Sequence, residues 1–442
     1  MTPDPALDLF PLAAAVLAAI TCGLLGNFLL LQHRSLMGDA ISHGVLPGLV
    51  IGFLVSGSRE PLPMLAGAAA AGIVTVLLVA AVRRIGRVES GAAMGVVFTV
   101  LFAVGVLLIE QAAARQVDLD AECVLHGQLE TLVWYGAPIA WSEIVTWSML
   151  ESVPRQVWML LVACTLSIGY VGLLFKELRL TAFDPATARA VGVPSSLLDL
   201  GTMVLVAIAT VASFEAVGSI LVVAMLVCPA ATARFLTDRM SAQIAWSVGI
   251  AIATTVLGYG AATAVPTAFG WASVNAAGSM TVVAGGALAI AVVAAPRHGL
   301  VARGISRRRL SRSIALEDLL LMLWRAEDER TGTVPVPRHA NLIRPAAPGI
   351  VALARRRGLV ESASGAATDD DPSRPPRLTD RGRAEAIALI RRHRRWEHYL
   401  VEEAGFAVDH VHAVAERLEH VPVEPEADAD ADPHGRPIPK SP

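Results

Sequence analysis

Cysteine is scarce and scattered in this 442-residue chain: Cys22, Cys123, Cys164 and Cys228 stand alone, with no Cys-x-x-Cys pair. That spacing supports neither a disulfide framework nor a thiolate zinc site. Charge is also sparse, at 17% of residues against 54% hydrophobic, and the mean hydropathy is +0.56. A soluble protein of this length rarely has that composition. No Gly-x-x-x-x-Gly-Lys-Ser/Thr segment occurs, so ATP hydrolysis is not expected of this chain. The first apolar run, residues 10–31, lacks a basic leader and is long enough to cross a bilayer. It reads as a span and not as a cleaved signal.

The scarcity of charge is uneven. Residues 1–296 hold 12 Lys/Arg and 17 Asp/Glu, whereas residues 297–442 hold 24 and 22. The first part suits lipid and the second suits water. A span needs about 20 apolar residues. Such runs lie near 10–31, 40–56, 62–82, 91–110, 156–176, 198–214, 217–235, 242–262 and 277–295. The second and sixth are short, so the count is eight or nine. Arg34, the Arg83/Arg84/Arg87 cluster, Lys176, Arg179, Arg189, Arg234, Arg239 and the run after Pro296 fall on one side. The Lys/Arg bias makes that side cytoplasmic, with the N-terminus outside and the charged tail inside. An external segment at about 111–155 carries Trp134, Tyr135, Trp141 and Trp147. That density suits a helix at the membrane interface, or a loop with packed aromatics.

A basic linker at 297–312 precedes a change of pattern. Residues 316–324 read as an amphipathic helix, and 349–357 as another beyond a Pro-rich interval at 335–348. A strand near 359–361, a loop of Gly, Asp, Ser and Pro, and a return strand ending at Thr379 would form a wing. Residues 313–382 therefore read as a degenerate winged-helix-like α/β domain. Thr379 can cap a helix that starts at Asp380 and stops at Gly405, and Asp409 can cap a last helix running to Val421. Residues 383–421 then make a helical module, followed by a Pro/Asp-rich tail at 422–442.

Three motifs carry chemistry. Residues 38–48 read Gly-Asp-Ala-Ile-Ser-His-Gly-Val-Leu-Pro-Gly, and Asp39 and His43, four apart, share one helix face. A carboxylate with an imidazole suits a divalent first-row metal. A charge inside the membrane costs about 2.5–3.5 kcal/mol on insertion scales, so such a pair marks a functional position. The plainer alternative is a helix-end Asp and a His bonded to a neighbouring helix.

The second motif is FDPATARAVG at 183–192, between two spans. Asp184 is an N-cap, Pro185 takes the first helical position, and Gly192 with Pro194 terminates. The result is a two-turn helix, from Phe183 past Ala188, with small residues on its surface. It either seats in a partner's groove or packs on the protein itself. The third motif lies in the tail, where His393 and Glu397 are four apart and His412, Glu416, Glu419 and His420 follow at spacings of four, three and one. Three imidazoles and three carboxylates on two facing helices can build one or two octahedral N/O sites. Solvated helix faces with Glu/His/Arg pairs are the plainer alternative.

Two family resemblances follow from these residues. GDAISHGVLPG resembles the signature of the zinc/manganese/iron-type ABC permeases, and the likeness covers about residues 8–296. It continues at 117–120 and 122–127, and returns at Ala216-Val217-Gly218 and 221–233; Glu215 stands where Gln is more often found. The resemblance implies an importer subunit in which Asp39 and His43 are metal ligands on the translocation path. It also implies a second permease protomer (homodimer or paralogous heterodimer), a separate ATPase docked on the 183–192 helix, and an extracytoplasmic solute-binding protein.

RHRRWEHYLVEEAG, VHAVAERLEHV and PHGRPIP resemble metal-responsive repressors of the DtxR/MntR type over about 316–440. That resemblance places His393, Glu397, His412, Glu416, Glu419, His420 and Asp318 on ligand positions. Iron-type members often carry Cys where Glu416 stands, and a carboxylate there is harder and points to manganese. Leu321 departs, standing where manganese regulators place an acid. Pro345 and Pro348 fall where a DNA-reading helix is expected, and proline inside a helix costs about 3 kcal/mol. DNA is therefore not expected as a partner, although Arg355–Arg357 remain available to phosphate. Metal sensing or protomer pairing is the preferred role of the tail, and a fused regulator that still binds DNA is the alternative.

The combined expectation is an all-α polytopic protein of the cell membrane with a cytoplasmic winged-helix-like domain and a helical metal-binding/dimerisation module. It imports a divalent metal, manganese before zinc or iron, and binds no nucleotide. A proton-coupled secondary transporter and a membrane-anchored transcription regulator are the rival classes.

Overall fold

The computed structural model describes residues 5–57, 61–113, 129–134, 152–270, 274–331, 348–361, 376–421, 423, 425 and 429–439. The chain divides into two compact units, Met1–Ala302 and Arg303–Pro442. The first is a bundle of α1 (Pro5–Leu31), α2 (Met37–Gly44), α3 (Leu46–Ser56), α4 (Pro61–Gly86), α5 (Ser90–Ala113), α6 (Arg155–Leu173), α7 (Phe175–Phe183), α8 (Pro185–Ala190), α9 (Ser195–Leu236), α10 (Met240–Phe269) and α11 (Ala276–Ala294). Among the described residues, eight helical stretches are long and apolar enough to cross a membrane, with α2 and α3 counted together as Met37–Ser56. This is a multi-pass membrane protein.

Helix α9 is the exception in length. Its 42 residues would rise about 63 Å at 1.5 Å each, roughly twice a 30 Å hydrocarbon core. The backbone leaves helical geometry at Gly218, with φ 77° and ψ 165°, a conformation that only glycine adopts without strain. Near its start, Asp199 accepts from Gln32, just past the end of α1. Glu215 is held by Arg155 at the first residue of α6, whose other end, at Tyr170, donates to the Leu198 carbonyl. Past its last residue, Asp238 leads into α10, where Gln243 bonds Asn27 near the end of α1 and Tyr259 bonds Asp8 near its beginning. Both ends of α9 therefore lie at the Gln32 end of the bundle, and its halves run antiparallel about Gly218. The spans expected at 198–214 and 217–235 are these two halves. Counted separately, they put the two ends of the unit at opposite faces, with Ala6 beside Trp134 and His298 on Asp238.

Close helix contact depends on missing side chains. A Cβ on Gly26 would lie 1.9 Å from the Leu226 carbonyl oxygen, and one on Gly48 2.2 Å from that of Gly67. Without a hydrophobic drive between helices in lipid, such packing is what holds a bundle together. Of the aromatic segment expected at the interface, Trp134 is buried with its ring 5.3 Å from Phe10. Tyr135, Trp141, Trp147 and the stretches 117–120 and 122–127 lie outside the described residues.

The second unit contains α12 (Leu300–Thr331, which begins just before the division), α13 (Pro348–Arg356), α14 (Asp380–Glu402) and α15 (His412–Leu418), with a 3-10 turn at Val408–His410. Helix α12 takes in most of the stretch read as a linker, together with the helix expected at 316–324. Leu316, Leu319, Leu320 and Leu323 pack with Ala354, Leu359, Val360, Leu378 and Ala386 into the core of this unit. The expected wing strands are not seen. Among the described residues there are only isolated antiparallel bridges, Val360 with Leu378 and Ala431 with Pro437. Each flank pairs over a residue or two before 362–375, which lie outside the described residues. Thr379 caps α14, accepting from Gly382 N at 3.1 Å. Asp409 does not cap α15; it sits in the 3-10 turn bonded to His410, and α15 begins at His412.

Candidate metal path and metal centre

Helix α2 buries Met37, Gly38, Ala40, Ile41, Ser42 and Gly44. Asp39 and His43 occupy the opposite side, with side chains 43% and 28% exposed, and His43 Nε2 lies 3.5 Å from Asp39 Oδ1. The His43 ring sits against Phe98 at 5.1 Å and edge-on to Phe102 at 5.4 Å. Among the described residues no neighbouring helix supplies it with a hydrogen-bond acceptor, so aromatic faces orient the imidazole while its nitrogens stay available. Ligands at about 2.1 Å from one ion stand about 3 Å apart, close to the separation seen. A Cβ on Gly38 would meet Leu226 at 2.4 Å, and one on Gly44 would meet Thr75 at 2.3 Å. The glycines of the motif thus seat α2 on α9 and α4 and fix which side the pair faces.

At 183–192, the Asp184 carboxylate accepts from Ala186 N at 3.1 Å, Thr187 N at 2.9 Å and Thr187 Oγ1 at 2.5 Å. Its bond to the Thr187 hydroxyl, with the backbone bonds, holds this carboxyl below the usual range. Pro185 opens α8, Ala188 is buried, and Gly192 at φ 87° ends it. The helix has six residues, shorter than two full turns. Phe183 and Val191 beside it are 55% and 71% exposed.

In the second unit, His393 Nε2 lies 3.0 Å from Glu397 Oε1, and His412 Nδ1 contacts the same oxygen. These three offer ligand atoms within 4.8 Å of one another. A second group is Asp318, Glu419 and His420, with His420 Nε2 at 3.4 Å from Asp318 and 3.8 Å from Glu419. His393 joins the groups, its Nδ1 lying 2.5 Å from Glu419 Oε2. Glu416 is exposed and belongs to neither group. Leu321 is buried against Leu389 and Ile390, so the acid missing from that position is replaced by core packing.

Two neighbours were given no role by the sequence pattern, although His434 lies in the PHGRPIP stretch. Glu317 Oε2 bonds His420 Nδ1 at 2.7 Å, and His434 stacks on His412 with ring centroids 4.7 Å apart. A third, Arg155 on Glu215, joins residues 60 apart in the bundle.

Glu397 and Glu419 are almost fully buried, and their counter-charges are imidazoles. Burial works against a charged His393, but its bonds to Glu397 and Glu419 prevail and push it up to about 9. The bond to Asp318, opposed by partial burial and reinforced by Glu317, lifts His420 to about 9. Burial alone would raise Glu397; His393, His412 and His434 bring it below its ordinary value. Buried carboxylates and imidazoles converging at this spacing fit a divalent ion of hard-to-borderline character.

Residues 9–134 and 141–294 match the ABC 3 transport family, and residues 379–440 match the iron dependent repressor, metal binding and dimerisation domain. The chain is 38% identical over 292 residues to the manganese transport system membrane protein MntD of Bacillus subtilis, covering 66% of this chain and 93% of that one. It is 33% identical over 352 residues to the zinc transport system membrane protein TroD of Treponema pallidum, covering 78% and 91%. Among solved structures it resembles PsaBC from Streptococcus pneumoniae in complex with Fab, at a TM-score of 0.51 and 27% identity, over 66% of this chain and 92% of that chain. A glycine-seated acid–imidazole pair, a bundle of apolar spans and this agreement along their whole length lead to one conclusion: the chain belongs to the ABC 3 transport family, with residues 379–440 similar to the metal binding and dimerisation domain of iron dependent repressors.

Proposed function

We propose that this chain is the membrane subunit of an ATP-driven divalent metal importer, with manganese as its preferred ion. The observation that carries the reading is the Asp39–His43 pair, exposed together on one side of a helix otherwise packed into the bundle. Two protomers bring these sides together, and the substrate ion passes between them. It is delivered by a solute-binding protein on the N-terminal side. A separate ATPase docks on α8, where exposed Phe183 and Val191 flank a capped, preorganised turn, and nucleotide binding there switches access. The arginine-rich end of the bundle faces the cytoplasm, following the Lys/Arg bias.

The C-terminal unit would hold a resident divalent ion through His393, Glu397 and His412, with Asp318, Glu419 and His420 as a second group and exposed Glu416 outside both. When bound, the ion supplies a positive charge that neutralises buried Glu397 and Glu419. His393 and His420 give up their protons to make room for it. The unit reports cytosolic metal or pairs protomers. The preference for manganese rests on carboxylate-rich donor sets and on relatives named for manganese transport.

The test is uptake of radiolabelled manganese into vesicles holding the chain with its ATPase and binding protein. ATP-dependent accumulation, competed better by manganese than by zinc or iron, supports the reading. Uptake that ignores ATP and follows a proton gradient would replace it with a secondary transporter.

A further inference from the structure

At the end of the bundle that carries Gln32 and Asp199, the first unit holds a cavity of about 570 Å³ between α4, α9 and the turn into α5. Arg34, Arg83, Arg84 and Arg87 line it, against one carboxylate, Asp199. That carboxylate is already engaged, lying 3.5 Å from Arg34 Nη2 and accepting from Gln32 Nε2 at 3.0 Å. Among the described residues, Arg83, Arg84 and Arg87 have no ion-pair partner. Arg83 acts on Asp199 at longer range, but three cations beside one carboxylate leave an excess of like charge that repels itself. Ser90 Oγ, also on the wall, is buried with no hydrogen-bond partner. Ser90 opens α5, where unsatisfied backbone N–H groups favour a negative charge.

The rest of the wall differs in kind. Val76, Val79 and Ala80 of α4 and Leu200 and Met203 of α9 line it too. Val76 lies two helical turns, about 10 Å, from Arg83 along α4 and toward the middle of the membrane. The lining thus grades from guanidinium to aliphatic along the direction in which a bilayer grades from headgroup to chain. Val76, Val79 and Met203 are themselves packed into the bundle core, so the apolar lining open to a chain is Ala80 and half-buried Leu200 above them, where a free phosphate would touch the arginines alone. Basic pockets between spans, at the membrane surface, take anionic headgroups.

We propose that this cavity binds an anionic phospholipid of the adjacent leaflet. The phosphate diester lies among Arg83, Arg84, Arg87 and Ser90, and the upper chain runs along the α4–α9 wall. Asp199, held by Arg34 and Gln32, keeps Arg34 at the edge of the site. The inference is independent of the transported ion.

Native mass spectrometry of the full-length chain tests it, with phosphatidylglycerol and phosphatidylcholine of identical chains supplied in equal amounts. The expected result is one retained phosphatidylglycerol, preferred about tenfold or more, and loss of most of that preference in Arg83→Gln with Arg87→Gln. Equal retention of the two lipids would overturn the proposal. So would an undiminished preference in a double variant that melts like the parent. Protection against heat by inorganic phosphate alone, as strong as that by lipid, would show an anion site without a lipid. If the double variant does not fold, the lipid competition on the parent chain still decides.

Discussion

Replacing Arg155 with alanine strips the Glu215 carboxylate of hydrogen bonds at 2.8 and 2.9 Å and leaves it the Gln156 amide at 3.0 Å. Glu215 stands three residues before Gly218, so this pair pins the fold-back of α9 to the start of α6. The side chains are 34% and 29% exposed, so a dry-interior energy does not apply. In water such pairs contribute about 0.2–1 kcal/mol, whereas a lone carboxylate at mid-membrane costs about 2.5–3.5 kcal/mol, less toward the edge. Arg155 opens its span and so lies toward the edge. A loss of about 1–2 kcal/mol is expected for Arg155→Ala. Glu215→Gln removes the charge that needs a partner, so Arg155→Ala combined with Glu215→Gln should recover much of the loss, with a coupling of about 1 kcal/mol. Denaturant unfolding in micelles, followed by tryptophan fluorescence, measures all four corners of the cycle. Additivity to within about 0.3 kcal/mol would refute the claim that charge pairing holds this turn.

Three further outcomes follow from α8 and the C-terminal unit. Asp184→Ala removes three accepted bonds from the start of α8 and should lower ATP-coupled uptake while the isolated ATPase keeps its rate; unchanged coupling would show that the cap is dispensable. Glu397→Gln removes the carboxylate charge that His393 and His412 share, so calorimetric manganese binding should fall by one equivalent, and an unaltered stoichiometry would remove this group as a site. In the metal-free chain, His393 is raised from 6.5 to about 9. The stability it contributes is complete below about pH 6.5 and is lost as pH climbs through about 9. Chelator-treated protein should thus unfold more readily at pH 9.5 than at pH 6, a difference that Glu397→Gln with Glu419→Gln should flatten.

The membrane unit was legible because lipid imposes length and apolarity on every crossing, and Asp39 and His43 could be paired because i, i+4 spacing survives within α2. The relation between 198–214 and 217–235 was harder. Helix runs up to Gly218 and on from it, and only the Gly218 dihedrals and the distant contacts of Asp199, Glu215 and Gln243 reveal the reversal. In the tail, spacings of four, three and one suggested one helix face, but α15 ends at Leu418. Glu419 and His420 therefore leave that face and swing to His393 and Asp318, while Glu416 stays exposed. Glu317 meets His420 across 103 residues, which no local spacing shows, and PHGRPIP marks His434 without showing that it stacks on His412. The wing depended on pairing between 359–361 and 377–379, which sequence pattern suggests but cannot extend beyond one bridge.

The central claim is that an acid and an imidazole on α2 line the route of the ion. ATP-driven manganese uptake by Asp39→Ala and His43→Ala, with ATPase co-purification measured on the same preparations, tests it most directly. The account predicts uptake abolished in both variants with the complex intact; parental manganese accumulation in either one would contradict it.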